Sequence, residues 1–353
     1  MRRTIVPFFL PHRGCPHRCV FCDQRTVTGG DTGLPTPAAI AARVAAYRAT
    51  SGGEPVEVAF FGGTFTGLPR EEQESLLAPL QRLQVAGQVT VVRVSTRPDR
   101  VTGDTARFLR RLGVATVELG VQSLDDGVLA RAGRGHTAAQ VAAACQALRA
   151  AELAVGIQLM PGLPGDTPTT ARASLGQALA LGPDFLRIYP ALVLAGTELA
   201  TMYLQGRYQP LTLEAAVALC KVLLHDAERA GVPVVRLGLQ PTAELSAPGT
   251  VLTGPYHPAF RQLVEGALSV DLLEVLLARC PGEGVVTVRC APGQLSTVQG
   301  QHRQNLVQLR AGGIVVTRVD EDASLKVGEL AVARGGRQVR GSVLADLCYP
   351  SRG

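Results

Sequence analysis

Along the first 240 residues, short and strongly apolar runs alternate with amphipathic stretches of helical period. The runs Thr4–Leu10, Val56–Phe61, Val89–Ser95, Val117–Val121, Val155–Met160, Phe185–Tyr189 and Val234–Leu237 predict strands, and Thr36–Ala49, Arg70–Leu83 and Ala138–Ala151 predict helices between them. Strands that are apolar on both faces belong in a parallel sheet covered by crossover helices. Six or seven such steps predict an α/β fold, a partial (β/α)6-type TIM barrel. The runs are followed by Gly, Pro, Ser or Thr, so function is expected in the loops at the strand ends.

Around Pro241–Pro258 the texture turns loop-rich, and the remainder of the chain reads as a small C-terminal α/β extension. The expected organisation is a barrel over residues 1–264 and a second domain over 265–353. In that tail Val285–Arg289 predicts a strand, and Ser296 caps a helix running to about Leu309. Ile314–Val319 and Leu325–Ala333 predict a hairpin around Asp320, Glu321 and Asp322. The polar stretch Gln299–Asn305 reads as a solvated helix face, with the active site or an RNA phosphate as the other reading.

A chain of 353 residues is long enough to bury a substantial core without disulfides. Nothing in it reads as a signal peptide or a membrane span, which predicts a cytoplasmic protein with no membrane partner. The net charge of +6 is carried almost wholly by arginine, Lys221 and Lys326 being the only lysines. Arginine binds phosphates well, so an RNA or nucleotide partner is allowed, although compositional drift explains the same enrichment.

The chemistry concentrates after the first predicted strand, where three of the eight cysteines, Cys15, Cys19 and Cys22, form a C-x3-C-x2-C motif. Such a spacing in a reducing compartment points to metal or redox chemistry. Three thiolates on a four-iron cluster leave one iron open to a small ligand. The other reading is a zinc knuckle completed by His12, His17 or a distant cysteine. Phe60-Phe61-Gly62-Gly63-Thr64 ends the second predicted strand. Its glycines let a ligand approach the backbone, and Thr64 adds a hydroxyl; alone it reads equally as a tight βα turn.

Together the two motifs, on consecutive strands, resemble the radical S-adenosylmethionine (SAM) superfamily. Within it, residues 5–260 are similar to the radical SAM half of the Elongator catalytic subunit and its stand-alone relatives. The matching stretches are Pro11–His17, Gly62–Phe65, Thr96–Asp99, Glu118–Ser123, Arg134–Thr137, Leu159–Gly165 and Arg187–Pro190. The resemblance implies a 4Fe–4S cluster and SAM as cofactors, and reductive cleavage of SAM to a 5′-deoxyadenosyl radical that abstracts hydrogen from a substrate. It also implies that Cys15, Cys19 and Cys22 ligate the cluster. Gly62, Gly63 and Thr64 would hold the SAM amino group, Gln122 the ribose and Arg134 the carboxylate, with Met160–Pro164 near adenine. A flavodoxin or ferredoxin is the implied electron donor, and tRNA or another nucleotide is an implied substrate.

Two departures stand out. Ser95 replaces the acidic residue that precedes Thr-Arg-Pro-Asp in Elongator-like chains, leaving Glu118 or Asp99 to substitute for it. About a hundred residues lie beyond the barrel, too few for an acetyltransferase domain, so the Elongator wobble-uridine reaction is not expected. Cys145 and Cys220 read as small core residues, and Cys280, Cys290 and Cys348 lack the spacing of an auxiliary cluster. Tyr189, Tyr203, Tyr208 and His257 are candidates for a substrate cavity. The competing functions are the same chemistry on a small molecule such as a porphyrin precursor, and a non-catalytic zinc-containing RNA-binding protein.

Overall fold

The computed structural model describes residues 4–16, 18–24 and 33–350. In chain order the elements are β1 (Ile5–Phe9), α1 (Pro37–Thr50), β2 (Val56–Phe61), α2 (Arg70–Val85), β3 (Val89–Thr96), α3 (Gly103–Arg111), β4 (Thr116–Gln122), α4 (Asp126–Arg131), α5 (Ala138–Ala150), β5 (Ala154–Leu159), α6 (Pro168–Ala180), β6 (Phe185–Ile188), β7 (Val193–Leu194) and α7 (Glu198–Leu204). The chain continues through α8 (Leu213–Arg229), β8 (Val234–Leu237), β9 (Val251–Thr253), α9 (Phe260–Arg279), β10 (Val286–Cys290), α10 (Leu295–Gln299), α11 (Gln304–Ala311), β11 (Val316–Glu321), β12 (Glu329–Arg334), β13 (Arg337–Ser342) and α12 (Val343–Asp346). They form two compact units, residues 1–211 with 232–255, and residues 212–231 with 256–353. Helix α9 runs unbroken across residue 264.

The first unit is a seven-stranded sheet in the order β1-β2-β3-β4-β5-β6-β8, parallel throughout. It is the α/β partial barrel that the apolar runs predict, with the upper of the two expected strand numbers. Val56, Val58, Ala59 and Phe60 of β2, and Val117, Leu119 and Val121 of β4, are fully buried, as strands covered on both faces require. Helices start sharply because the loops end in capping side chains: Thr36, Thr102, Asp125, Thr137, Thr167 and Thr197 each accept a backbone N–H of the first turn. Thr137 and Thr167 complete capping boxes. Caps at these positions fix where each loop at the carboxyl end of the sheet gives way to helix, and so shape the rim of the site.

The second unit holds a four-stranded sheet in the order β11-β10-β12-β13. Strands β10 and β11 are parallel, while β10 with β12 and β12 with β13 are antiparallel. The hairpin expected around Asp320–Asp322 is therefore absent, because β10 lies between β11 and β12. The hairpin that does form joins β12 to β13 through Gly335 and Gly336, at φ 55° and 77°, and pairs Arg334 with Arg337. A Gly-Gly pair supplying two left-handed residues is a strong hairpin signal, and it outweighs the acidic turn expected upstream. The helix expected from Ser296 to Leu309 is likewise broken at Gly300 into α10 and α11. Helix α8 packs on α9, tied by the Lys221–Asp271 ion pair at 2.8 Å. Tyr349 donates to Asp271 and stands edge-on to His225, 5.0 Å between ring centres.

Cys145, Cys220, Cys280 and Cys290 are buried and Cys348 is exposed. Among the described residues no helix is long and apolar enough to cross a membrane.

One packing contact gives a sharp test. A Cβ built on Gly156 in β5 meets the Phe185 ring at 2.3 Å, and Phe185 is itself held under the Arg93 guanidinium, 5.0 Å from the ring centre. Gly156→Ala should lower stability by about 1–3 kcal/mol, the usual cost of overpacking. A lower midpoint in urea denaturation at unchanged slope checks it.

Candidate active site

The loop after β1 and the turn after β2 are locked together by backbone. Ile5 to Phe9 lie opposite Glu57 to Phe61 in register, which brings both loops to one level. Leu10 donates its N–H to Phe61 O at 2.8 Å, and Thr64 donates to Arg13 O at 2.7 Å. A Cβ on Gly63 would sit 2.4 Å from Arg13 O and 2.5 Å from Leu10 O, and one on Gly14 would sit 2.2 Å from Thr64 O. Both glycines also have positive φ, 59° and 69°. Their absence of a side chain is demanded by the neighbouring backbone. At Gly62 a Cβ would make only ordinary contact, 3.4 Å from Gln24 Oε1, and the residue faces the cavity described next.

Gln24, which no sequence motif singles out, fastens the same junction. Its Oε1 accepts from His12 N at 2.6 Å and Gly63 N at 2.7 Å, and its own N–H donates to His12 Nε2 at 3.1 Å. One amide two residues past the last cysteine thus ties the cysteine loop to the glycine turn. A glutamine so placed is recognisable only once the fold shows its partners. His12, a candidate zinc ligand, has this ring nitrogen engaged; His17, the other, lies outside the described residues.

Cys15, Cys19, Cys22, Gly62, Gly63, Gln122 and Arg134 all line one cavity of about 660 Å³. Thr64 does not line it: fully buried, its hydroxyl lies 3.3 Å from Cys15 Sγ. Burial raises the Cys15 thiol above its ordinary value. Burial, then the neighbouring Cys19 and Cys15, push Cys22 up to about 12. Among the described residues no trio of His, Cys, Asp or Glu is gathered into a closed ion-binding set. Three thiols around one cavity, two of them held up by burial and by their neighbours, nevertheless fit a cationic iron centre, whose charge would favour their thiolates.

Arg134 is 6 % exposed; its guanidinium donates to Cys19 Sγ at 3.0 Å and to Gly120 O. Gln122 stands at φ 72° where β4 shifts register against β5, and its Oε1 accepts from Gln158 Nε2 at 3.1 Å. Arg97 donates to Arg134 O and pairs with Asp99 at 2.9 Å. His136 lies behind them, Nε2 at 3.2 Å from Val121 O. Burial, then the Arg134 and Arg97 charges, lower it to about 3.

A charged layer borders the same cavity through Glu118 and Arg187. Glu118 of β4 accepts from Arg93 Nη1 at 2.8 Å and from Arg187 Nη2 at 3.0 Å, and Arg93 also pairs with Glu57. Arg187 reaches Tyr189 Oη at 3.1 Å. Glu118 and Asp99, the carboxylates considered in place of the acid missing at Ser95, are each bound to guanidinium. Tyr189 and Met160 line the cavity; Tyr203 and Tyr208 do not, Tyr208 instead donating to Gly162 O at 2.6 Å, and His257 belongs to the second unit.

The lowered His136 has a measurable sign. Below pH 6.5 the unfolded imidazole takes a proton that the folded one refuses down to about pH 3, so this residue costs stability progressively as pH falls through that window. The melting temperature of His136→Gln should fall less steeply than the wild type's between pH 6.5 and about pH 4, measured side by side.

Residues 9–176 match the family model described as the radical SAM superfamily, and residues 183–269 match the Radical_SAM C-terminal domain. The chain is 31 % identical over 182 residues to the tRNA uridine(34) acetyltransferase of Methanocaldococcus jannaschii, covering 46 % of this chain and 34 % of that one. It is 29 % identical over 260 residues to Elongator complex protein 3 of Saccharomyces cerevisiae, covering 61 % and 46 %. The chain thus spans a third to a half of these relatives' length. The structure of Methanocaldococcus infernus Elp3 with an N-terminal deletion superposes with a TM-score of 0.61 at 22 % identity, over 78 % of this chain and 65 % of that one, and shares the fold. With two adjoining family models matched from residue 9 to residue 269, the chain belongs to the radical SAM superfamily of enzymes, whose cofactors are a 4Fe–4S cluster and SAM.

Proposed function

We propose that this enzyme acts on tRNA or another nucleotide-bearing substrate, with Cys15, Cys19 and Cys22 as cluster ligands, with Gly62, Gly63, Gln122 and Arg134 building the SAM site, and with Thr64 supporting Cys15 from behind it. The observation that carries the site assignment is the single cavity shared by the three cysteines, Gly62, Gln122 and Arg134. When bound, the cluster supplies the electron that cleaves SAM to a 5′-deoxyadenosyl radical, which takes a hydrogen atom from the substrate.

The chain's own part is positioning and electrostatics. Thr64 holds Cys15 through its hydroxyl, and Arg134 directs a fixed positive charge at Cys19 Sγ. A donor on a ligating sulfur is one of the means by which a protein sets cluster potential. Gly62 leaves backbone open beside the cysteines, and Met160 adds an apolar wall. The layer of Arg93, Glu118 and Arg187 keeps the interior polar without exposing an unpaired carboxylate. Support for a tRNA substrate comes from the relatives, a tRNA uridine(34) acetyltransferase among them, and from the arginine-dominated charge. The electron donor in this reading is a flavodoxin or ferredoxin.

Anaerobic reconstitution with iron and sulfide, followed by dithionite and SAM, should yield 5′-deoxyadenosine by chromatography, and Cys19→Ala should abolish it. One bound zinc with no cleavage would replace this reading with that of a zinc-bearing RNA-binding protein. Gly63→Ala should load less iron per chain than wild type, because its Cβ displaces the cysteine loop; equal iron content would show that the junction tolerates the methyl. Bulk tRNA should raise 5′-deoxyadenosine formation above the substrate-free rate, whereas stimulation by a porphyrin precursor alone would move the substrate to the small-molecule class.

A further inference from the structure

The second unit contains a β10–α10–turn–α11–β11 core in which the two strands are parallel neighbours. Gly300-Gln301-His302-Arg303 joins the helices. Gly300 is obligatory there, since a Cβ would sit 2.7 Å from Asn305 Oδ1, and Asn305 Nδ2 donates to Gly266 O, Thr297 O and Val298 O at 3.1–3.2 Å beneath the turn. Arg303 holds φ 62°, a left-handed bend that glycine makes freely, so the turn carries a guanidinium at the position of the second glycine of a G-x-x-G sequence. KH modules use a G-x-x-G turn between two helices to clamp about four nucleotides of backbone.

Charge names the occupant. From Gly284 to Val319 the chain has four arginines and one histidine and no Asp or Glu. Arg289 and Arg318 have carboxylate partners in Asp322 and Asp320. That leaves His302, Arg303 and Arg310, all exposed, with no ion pair among the described residues. Val307 and Arg310 are three apart in α11 and share a face, Arg303 caps the start of the same helix, and Val307 is 62 % exposed, so an apolar surface adjoins two cations. Cations spaced by an aliphatic patch match phosphates flanking an unstacked base.

We infer that the second unit binds single-stranded RNA, its phosphates on the Gly300–Arg303 turn and on Arg310, with a base against Val307. The choice of RNA over DNA rests on the proposed function; the surface itself does not.

The test uses the full-length protein and a short fluorescent single-stranded RNA, read by anisotropy at several salt concentrations. The wild type should bind, and the double variant Arg303→Glu with Arg310→Glu should bind at least about tenfold more weakly. Its slope of log affinity against log salt should be shallower by about 1.4, two phosphate contacts at about 0.7 each. Arg303→Gly, which keeps the bend and removes the charge, should fall between them, and it decides the matter if the double variant does not melt like the wild type. Equal binding by wild type and variants, no binding by the wild type, or equal competition by duplex RNA would each overturn the proposal. Cluster-dependent SAM cleavage should be unchanged in both variants. Stimulation of that cleavage by tRNA to the same extent in all three proteins, with equal RNA affinity, would keep the substrate reading and remove this surface.

Discussion

The contact on which the first unit depends is the backbone approach between the loop after β1 and the turn after β2. Carbonyls of Leu10 and Arg13 occupy the space a side chain at residue 63 would need, and Thr64 O occupies that of residue 14. This approach is possible because β1 and β2 are parallel and in register, so their carboxyl ends finish together. The cysteine loop is thereby seated on a strand end, and Gln24 closes the seat from the other side with bonds to His12 and Gly63. A flexible loop bearing three cysteines would have to be ordered when the cluster binds; here much of that ordering is done by the sheet.

From that seat outward the electrostatics are arranged in shells. Arg134 faces Cys19, Arg97 supports Arg134 through its backbone oxygen, Asp99 pairs with Arg97, and His136 stays neutral behind them. A protonated imidazole there would put a third positive charge beside two guanidiniums in a buried place, which explains why it gives up its proton so readily. The arrangement directs one permanent charge, and not a titrating one, at the sulfur.

The architecture was legible in the sequence because parallel strands buried on both faces are apolar without alternation, and each of the seven ran close to its predicted bounds. The cysteines and the Gly-Gly-Thr turn were legible as motifs, yet the reason for Gly63 was not: it serves the cysteine loop's backbone, a contact between residues about fifty apart. Thr64 was expected at the ligand and lies against Cys15, since a hydroxyl's direction is set by the turn that carries it. Gln24 had no local signature. In the tail, local pattern favoured pairing neighbours in sequence, and the insertion of β10 between β11 and β12 is a non-local choice that periodicity does not encode. The break at Gly300 was visible as a glycine, but the polar residues around it read as continuous helix.

The layer formed by Arg93, Glu118 and Arg187 has a further consequence. Both lysines of the chain lie in the second unit, so apart from the chain's own amino terminus and its histidines every cation of the barrel is a guanidinium. Guanidinium does not surrender its proton inside a protein. The guanidiniums of this layer are therefore constant positive sources beside their carboxylate partners Glu57 and Glu118: whatever changes oxidation state or protonation during turnover does so next to cations that acidification cannot alter.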